Sequence, residues 1–202
     1  MSINTVKKYT QQLGFETCIE IDADLLIPED SIRVFCEQNK CGFYEKNHMC
    51  PPLVGSVAEF RNRLKKYRSG LLLQYTEAMP SRENLDMKGR YESITRSRLS
   101  FHCNLLKVED FLLERGIRGL WGMIGGSCAL CDTCAAIIQE PCRNPRQARM
   151  SLEATGVNVI DLLQRLGLEH KFFKEKITWT GCILCQDDSI SHILRGKSST
   201  GN

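Results

Sequence analysis

A chain of 202 residues with 42% hydrophobic and 25% charged side chains can bury an ordinary core, and its length suits one domain over residues 1–202. A net charge of +3 is too small for a dedicated nucleic-acid binder, and no apolar run is long enough to span a bilayer. The opening stretch MSINTVKKYTQQ has no apolar signal region, so a soluble cytoplasmic protein with neither nucleic acid nor membrane as partner is expected.

That compartment decides how eleven cysteines are read. In a reducing environment they point to metal or redox chemistry rather than disulfides, and an odd count cannot pair completely.

In chain order, Asn4 is expected to cap a short helix with Val6, Tyr9 and Leu13 on one face, stopped by Gly14. Thr17 to Asp22 alternates as a half-buried strand, with Cys18 on its core side. Pro28 opens a helix through Ile32 and Phe35 that delivers Cys36. The loop CEQNKCGFYEKNHMCPP then spaces Cys36, Cys41 and Cys50 as C-x4-C-x8-C, with His48 two places before the last. Proline directly after a cysteine recurs in ferredoxin-type runs, and its fixed φ stiffens the turn that presents the thiolate. A metal site is expected here; the rival reading is a loop whose thiols only fill space.

Ser56 to Glu59 forms a capping box, followed by the stripe Val57, Phe60, Leu64 and Tyr67 and an opposite basic face taken as solvated. Gly70 to Tyr75 reads as a buried strand and Pro80 to Gly89 as a polar loop. A long helix is expected from Tyr91 to Arg115, with Ile94, Phe101, Leu105, Val108 and Leu112 on one face and Gly116 as its stop. His102 and Cys103 diverge by about 100° on that helix, so they form no chelating pair, and His102 is expected at the surface or as a cap. Ile117 to Ile124 forms a third strand running into Gly122, Gly125 and Gly126.

Next comes LWGMIGGSCALCDTCAAIIQEPCRNP, in which Cys128, Cys131 and Cys134 form C-x2-C-x2-C and Cys142 follows eight places on. A triple at that spacing supplies three of the four thiolates of a [4Fe–4S] cluster. The glycines are expected to bring backbone N–H groups close to the cluster sulfurs. Arg143, with Arg146 and Arg149, would offset the negative charge of a thiolate-ligated cluster. Four buried, unligated cysteines are the rival reading, and zinc is the alternative metal.

Ser151 caps a short turn stopped by Gly156, and Asn158 caps Val159 to Leu166, closed by Gly167. The last strand, Lys176 to Cys185, carries Cys182 and Cys185. Residues three apart in a strand face opposite ways, so these two are expected as core thiols. The tail from Gly196 to Asn202 is polar. Strands alternating with helices give an α/β fold: a single small sheet of about four strands, with two cysteine-rich metal-binding loops at element ends.

Taken together, C-x4-C-G-x-Y with a following C-P-P, G-G-x-C-x-L-C-x-x-C, C-R-x-P and S-L-E-A-x-G-V-x-V, from Cys36 to Val159, resemble the predicted metal-binding family called domain of unknown function 2284. The resemblance implies that Cys36, Cys41, Cys50, Cys128, Cys131, Cys134 and Cys142 are the family's cysteines. It does not extend to Cys18, Cys103, Cys182 or Cys185, and it gives no substrate.

Three functional classes follow. The first is an iron–sulfur protein passing single electrons to a redox protein partner, with one [4Fe–4S] cluster and a possible second. Next is a zinc-stabilised interaction module in which Cys128 and Cys131 join Cys182 and Cys185 as a knuckle. The third is an iron–sulfur enzyme whose Cys36, Cys41 and Cys50 leave one iron open to a substrate, unless His48 closes the site. The polar groups to watch are His48, Tyr44, Glu45, Arg143 and Glu153. Whether the chain is an enzyme is left open. No phosphate-binding G-x4-G-K-[ST] loop, dinucleotide G-x-G-x-x-G motif or C-x3-C-x2-C of the radical S-adenosylmethionine type occurs.

Overall fold

Three consecutive leucines, Leu71, Leu72 and Leu73, are each 0% exposed, which requires that both faces of their strand be covered. The computed structural model, which describes residues 2–79, 86–170 and 175–186, shows how. Strands β1 (Phe15–Asp22), β2 (Ser69–Ala78), β3 (Leu120–Met123) and β4 (Lys176–Cys185) form one antiparallel sheet in the order β1-β2-β4-β3. Helices α1 (Ile3–Gln12) and α4 (Met87–Glu114) cover one face, where Phe101, Leu105, Val108 and Leu112 meet Leu71, Leu73 and Ile183. Helices α3 (Val57–Leu64) and α5 (Val159–Arg165) cover the other, where Phe60, Leu162 and Leu163 meet Leu72, Trp121 and Leu184. Each such buried Leu or Phe contributes roughly 1.5–3 kcal/mol.

The strand period sends Cys185 to the first core and Cys182 to the second, both 0% exposed. The two thiols therefore lie on opposite faces of the sheet, as their spacing predicts, and a knuckle joining them to Cys128 and Cys131 is ruled out by geometry. Cys18 is buried in the first core, also as expected.

Helix ends follow their caps. Ser56 and Glu59 make both bonds of the capping box, and Asn158 Oδ1 accepts from Asp161 N at 3.1 Å. Ser2, not Asn4, caps α1, and Asp86 caps α4, so the long helix begins before Tyr91. Residues 80–85 of the expected polar loop, and the tail from Gly196, lie outside the described residues. Helix α2 (Asp30–Glu37) does not bury its apolar residues: Val34 is 48% and Phe35 65% exposed.

His102 departs from expectation. It is 0% exposed on α4, and its Nε2 lies 3.0 Å from the Gln147 carbonyl oxygen. Nearby, buried Glu109 and half-buried Arg149 form an ion pair. Both contacts tie the stretch after Cys142 to α4.

Two outcomes follow for stability. Glu109→Ala leaves the Arg149 charge without its partner and should cost about 3 kcal/mol in urea unfolding. Burial pushes the His102 imidazole from its ordinary 6.5 down to about 4. Between those values the unfolded chain binds a proton that the folded chain does not, so this contribution is complete above pH 6.5 and lost as pH falls toward 4. His102→Gln should flatten the stability curve over that window, measured by urea unfolding at successive pH values; an unaltered curve contradicts the assignment.

Candidate metal centre

The run of cysteines after β3 is an excursion from the edge of the sheet. Ile124 N donates to the Met150 carbonyl at 2.9 Å and Leu152 N to the Ile124 carbonyl at 3.1 Å, so residues 125–149 leave and return at neighbouring points. The glycines at its entrance serve the core rather than the cysteines. A Cβ on Gly125 would stand 2.8 Å from the Thr180 carbonyl oxygen. Gly126, at φ +72°, lets the Trp179 ring and the Arg98 side chain pass within 2.9 and 3.2 Å of where a Cβ would be. Thus the expected role of these glycines, approach of N–H groups to sulfur, belongs to other residues.

Cys128, Cys131, Cys134 and Cys142 all line one small cavity, together with Asn47, His48, Arg143 and Asn144. Cys131 and Cys134 lie outside any helix; the 3₁₀ turn Ala135–Ile138 begins after them. Hydrogen-bond donors reach the sulfurs from several directions. Asn144 Nδ2 lies 3.2 Å from Cys131 Sγ, and the His48 backbone N 3.5 Å from Cys134 Sγ. Backbone groups of Leu130 and Arg149 bond to Cys128, which holds its thiol lower against the larger upward push of burial. Arg143 is exposed at the rim, where Nη1 donates to the Thr133 carbonyl at 3.1 Å.

The second cysteine group lies against the first. Segment 47–50 joins them: Asn47 is 4% exposed and its Nδ2 donates to the Cys128 carbonyl at 3.0 Å. The Pro51–Pro52 bond that follows is cis. Cys50 is buried, and its thiol is pushed up to about 12, first by burial and then by Cys41, Cys36 and Cys128. Cys36 is half-buried and Cys41 exposed, and both line a separate, larger cleft that also contains Glu153. Burial raises the Glu153 carboxyl. His48 does not close this group, because its Nε2 lies 2.7 Å from the Glu140 carbonyl oxygen in the first cavity. Tyr44 and Glu45 line neither cavity.

Arg33 and Arg98 carry structural roles here that spacing did not reveal. Arg33 donates to the carbonyls of Ala154 and Gly55 at 2.7 and 2.8 Å, tying the base of the 38–55 loop to the 3₁₀ turn Glu153–Thr155. Arg98, on α4, is 8% exposed and stands beside Cys50 and Cys128, one from each group. Its Nη1 donates to Ser127 Oγ at 2.8 Å, the Tyr91 side chain is hydrogen-bonded to it, its guanidinium lies 5.0 Å from the Phe43 ring, and its Nε has no partner. Among the described residues no carboxylate pairs with it. The one available signal was an arginine inside a helix whose neighbours at that turn, Ser97 and Phe101, face the core.

No disulfide joins any of the eleven cysteines. In metal-free folded protein, iodoacetamide should therefore alkylate exposed Cys41 first, while Cys182 and Cys185 stay unlabelled until the chain unfolds. Peptide mass spectrometry against time checks the order, and early labelling of Cys182 contradicts its placement.

No helix among the described residues is long and apolar enough to cross a membrane. No curated protein and no solved structure matches the chain. A family model described as a predicted metal-binding protein, domain of unknown function 2284, matches residues 19–185 and so takes in both cysteine loops and all four strands but the start of β1. The chain belongs to that predicted metal-binding family.

Proposed function

We propose that the protein is an iron–sulfur redox protein that passes single electrons to and from a protein partner, with Cys128, Cys131, Cys134 and Cys142 as ligands of a [4Fe–4S] cluster and Cys36, Cys41 and Cys50 holding a second metal group. The observation that carries the reading is the convergence of four thiols on one cavity, with side-chain and backbone N–H groups directed at their sulfurs. Sulfur that receives such donors is better stabilised as thiolate, the form that binds metal.

The donor set fits iron–sulfur better than zinc. The C-x2-C-x2-C run with Cys142 matches the thiolate supply of a [4Fe–4S] cluster. One zinc would draw four sulfurs to separations of about 3.8 Å, which follows from tetrahedral Zn–S bonds of about 2.3 Å. A cubane instead takes each thiolate on a different iron.

When bound, a [4Fe–4S] cluster supplies a reversible one-electron couple. The chain's own residues set the terms of that exchange. Arg98 lies in a buried environment where a charge acts with little screening, so it favours the more negative, reduced state. Arg143 acts in the same sense from the exposed rim, where water weakens it. Ile137 and Ile138, 53% and 58% exposed beside Cys134, offer an apolar landing for a transient partner.

Replacing any one of Cys128, Cys131, Cys134 and Cys142 with Ser should bleach the broad visible absorption of anaerobically purified protein. Cys36→Ala with Cys41→Ala should lower iron per chain without removing it. Arg98→Gln should lower a reduction potential by about 60 mV or more, equivalent to about 1.4 kcal/mol for one electron, and Arg143→Gln by less. Arg98→Lys keeps the charge and should stay near wild type. A colourless, zinc-loaded wild type would overturn the reading.

A further inference from the structure

The cysteine-bearing excursion 125–149 is anchored at its two ends. Its entrance is packed closely at Gly125 and Gly126, and its exit is tied to α4 through Gln147 and Arg149. The middle, 128–142, has no regular element beyond the 3₁₀ turn Ala135–Ile138. Among the described residues, the hydrogen bonds that reach 128–142 from outside the excursion come from Asn47 and His48.

Asn47 is 4% exposed, and both ends of its amide are engaged. Oδ1 accepts from Met49 N at 2.9 Å, while Nδ2 donates to the Cys128 carbonyl at 3.0 Å. Turned over, the amide would set donor against donor and acceptor against acceptor, so its orientation is fixed. The turn it closes ends with Cys50 N donating to the Asn47 carbonyl at 2.9 Å. That turn also directs His48 N at Cys134 Sγ, at 3.5 Å, and His48 Nε2 at the Glu140 carbonyl, at 2.7 Å. Residues 47–50 thus carry a cysteine of one group and the bonds that hold the loop of the other. Cys50 in turn stands beside Cys36 and Cys41, and 38–55 contains no helix or strand to keep it in place.

We infer that Asn47 is a positioning residue that makes the enclosed cysteine group depend on the other one: metal held by Cys36, Cys41 and Cys50 fixes the turn 47–50, and Asn47 and His48 pass that order to Cys128 and Cys134. From the reading above this takes only that both groups hold metal, whichever metal it is. A loop with few bonds of its own opens locally at little cost, and each bond to a fixed neighbour raises that cost.

Hydrogen–deuterium exchange with peptide mass spectrometry reads that opening, on full-length protein purified without oxygen. Cys36→Ala with Cys41→Ala, which empties the second group, should speed exchange over 128–142 by about tenfold, the effect of loosening one or two hydrogen bonds. Peptides of β4 should exchange as in the wild type. Asn47→Ala should speed the same 128–142 peptides by roughly fivefold with the metal content unchanged. Adding the two cysteine substitutions to Asn47→Ala should then bring a further change of about threefold or less, because the link through which they act is already cut. His48→Ala, which breaks the bond to Glu140, takes the place of Asn47→Ala if that variant fails to fold. Unaltered exchange over 128–142 in the cysteine variant overturns the inference, as does an undiminished effect of the cysteine substitutions in the Asn47→Ala background. Faster exchange spread evenly over β4 overturns it too, since it would mark a general loss of stability, and so does metal content that the cysteine substitutions leave unchanged. Iron, sulfide and zinc per wild-type chain separate the two claims. Zinc without sulfide, with the expected exchange pattern, removes the iron–sulfur reading and keeps the inference; iron and sulfide with exchange indifferent to Cys36 and Cys41 does the reverse.

Discussion

A guanidinium buried to 8% exposure has to be answered by negative charge, because the desolvation of an unpaired ion costs several kcal/mol. Arg98 has Ser127, the Tyr91 side chain and the Phe43 face as neighbours, none of which is a carboxylate. What remains beside it are Cys50 and Cys128. As neutral thiols they would give it little. As thiolates on a metal group they would satisfy it, and each would in turn be held in its ionised form. The arginine and the cysteines therefore explain one another, and the metal reading accounts for a charge that is otherwise expensive.

The same residue shows why the two cysteine loops act together. Arg98 comes from α4, which also holds the return of the second loop through His102 and Glu109. The first loop crosses over through Asn47 and His48, whose bonds fall on Cys128 and Cys134. Four independent contacts thus fix one loop upon the other and both upon a rigid helix. A scaffold packed in this way would keep the ligands of a bound metal group in place. The two groups are not equivalent. One is enclosed with donors directed at its sulfurs, whereas the other stands on the wall of an 870 Å³ cleft.

Much of this was legible in the sequence wherever the cause was local. Strand alternation placed β4 at Lys176–Cys185 and sent Cys182 and Cys185 to opposite cores, and the Ser56–Glu59 capping box marked the start of α3. The C-x2-C-x2-C spacing, with Cys142, named four residues that line one cavity. What sequence could not show were the contacts between distant segments. Arg33 bonds Ala154 across 121 residues and Arg98 bonds Ser127 across 29, and neither pair has a periodicity that betrays it. His102 was misread for a related reason: a histidine on a helix next to a polar turn looks solvated until Gln147, 45 residues on, folds over it.

The account stands most directly on what the seven loop cysteines hold. Iron, acid-labile sulfide and zinc should be measured per chain in wild-type protein purified without oxygen. The structure as read here predicts iron and sulfide in equal amounts, about four of each for every occupied cluster, with negligible zinc. About one zinc per chain with no sulfide would contradict it.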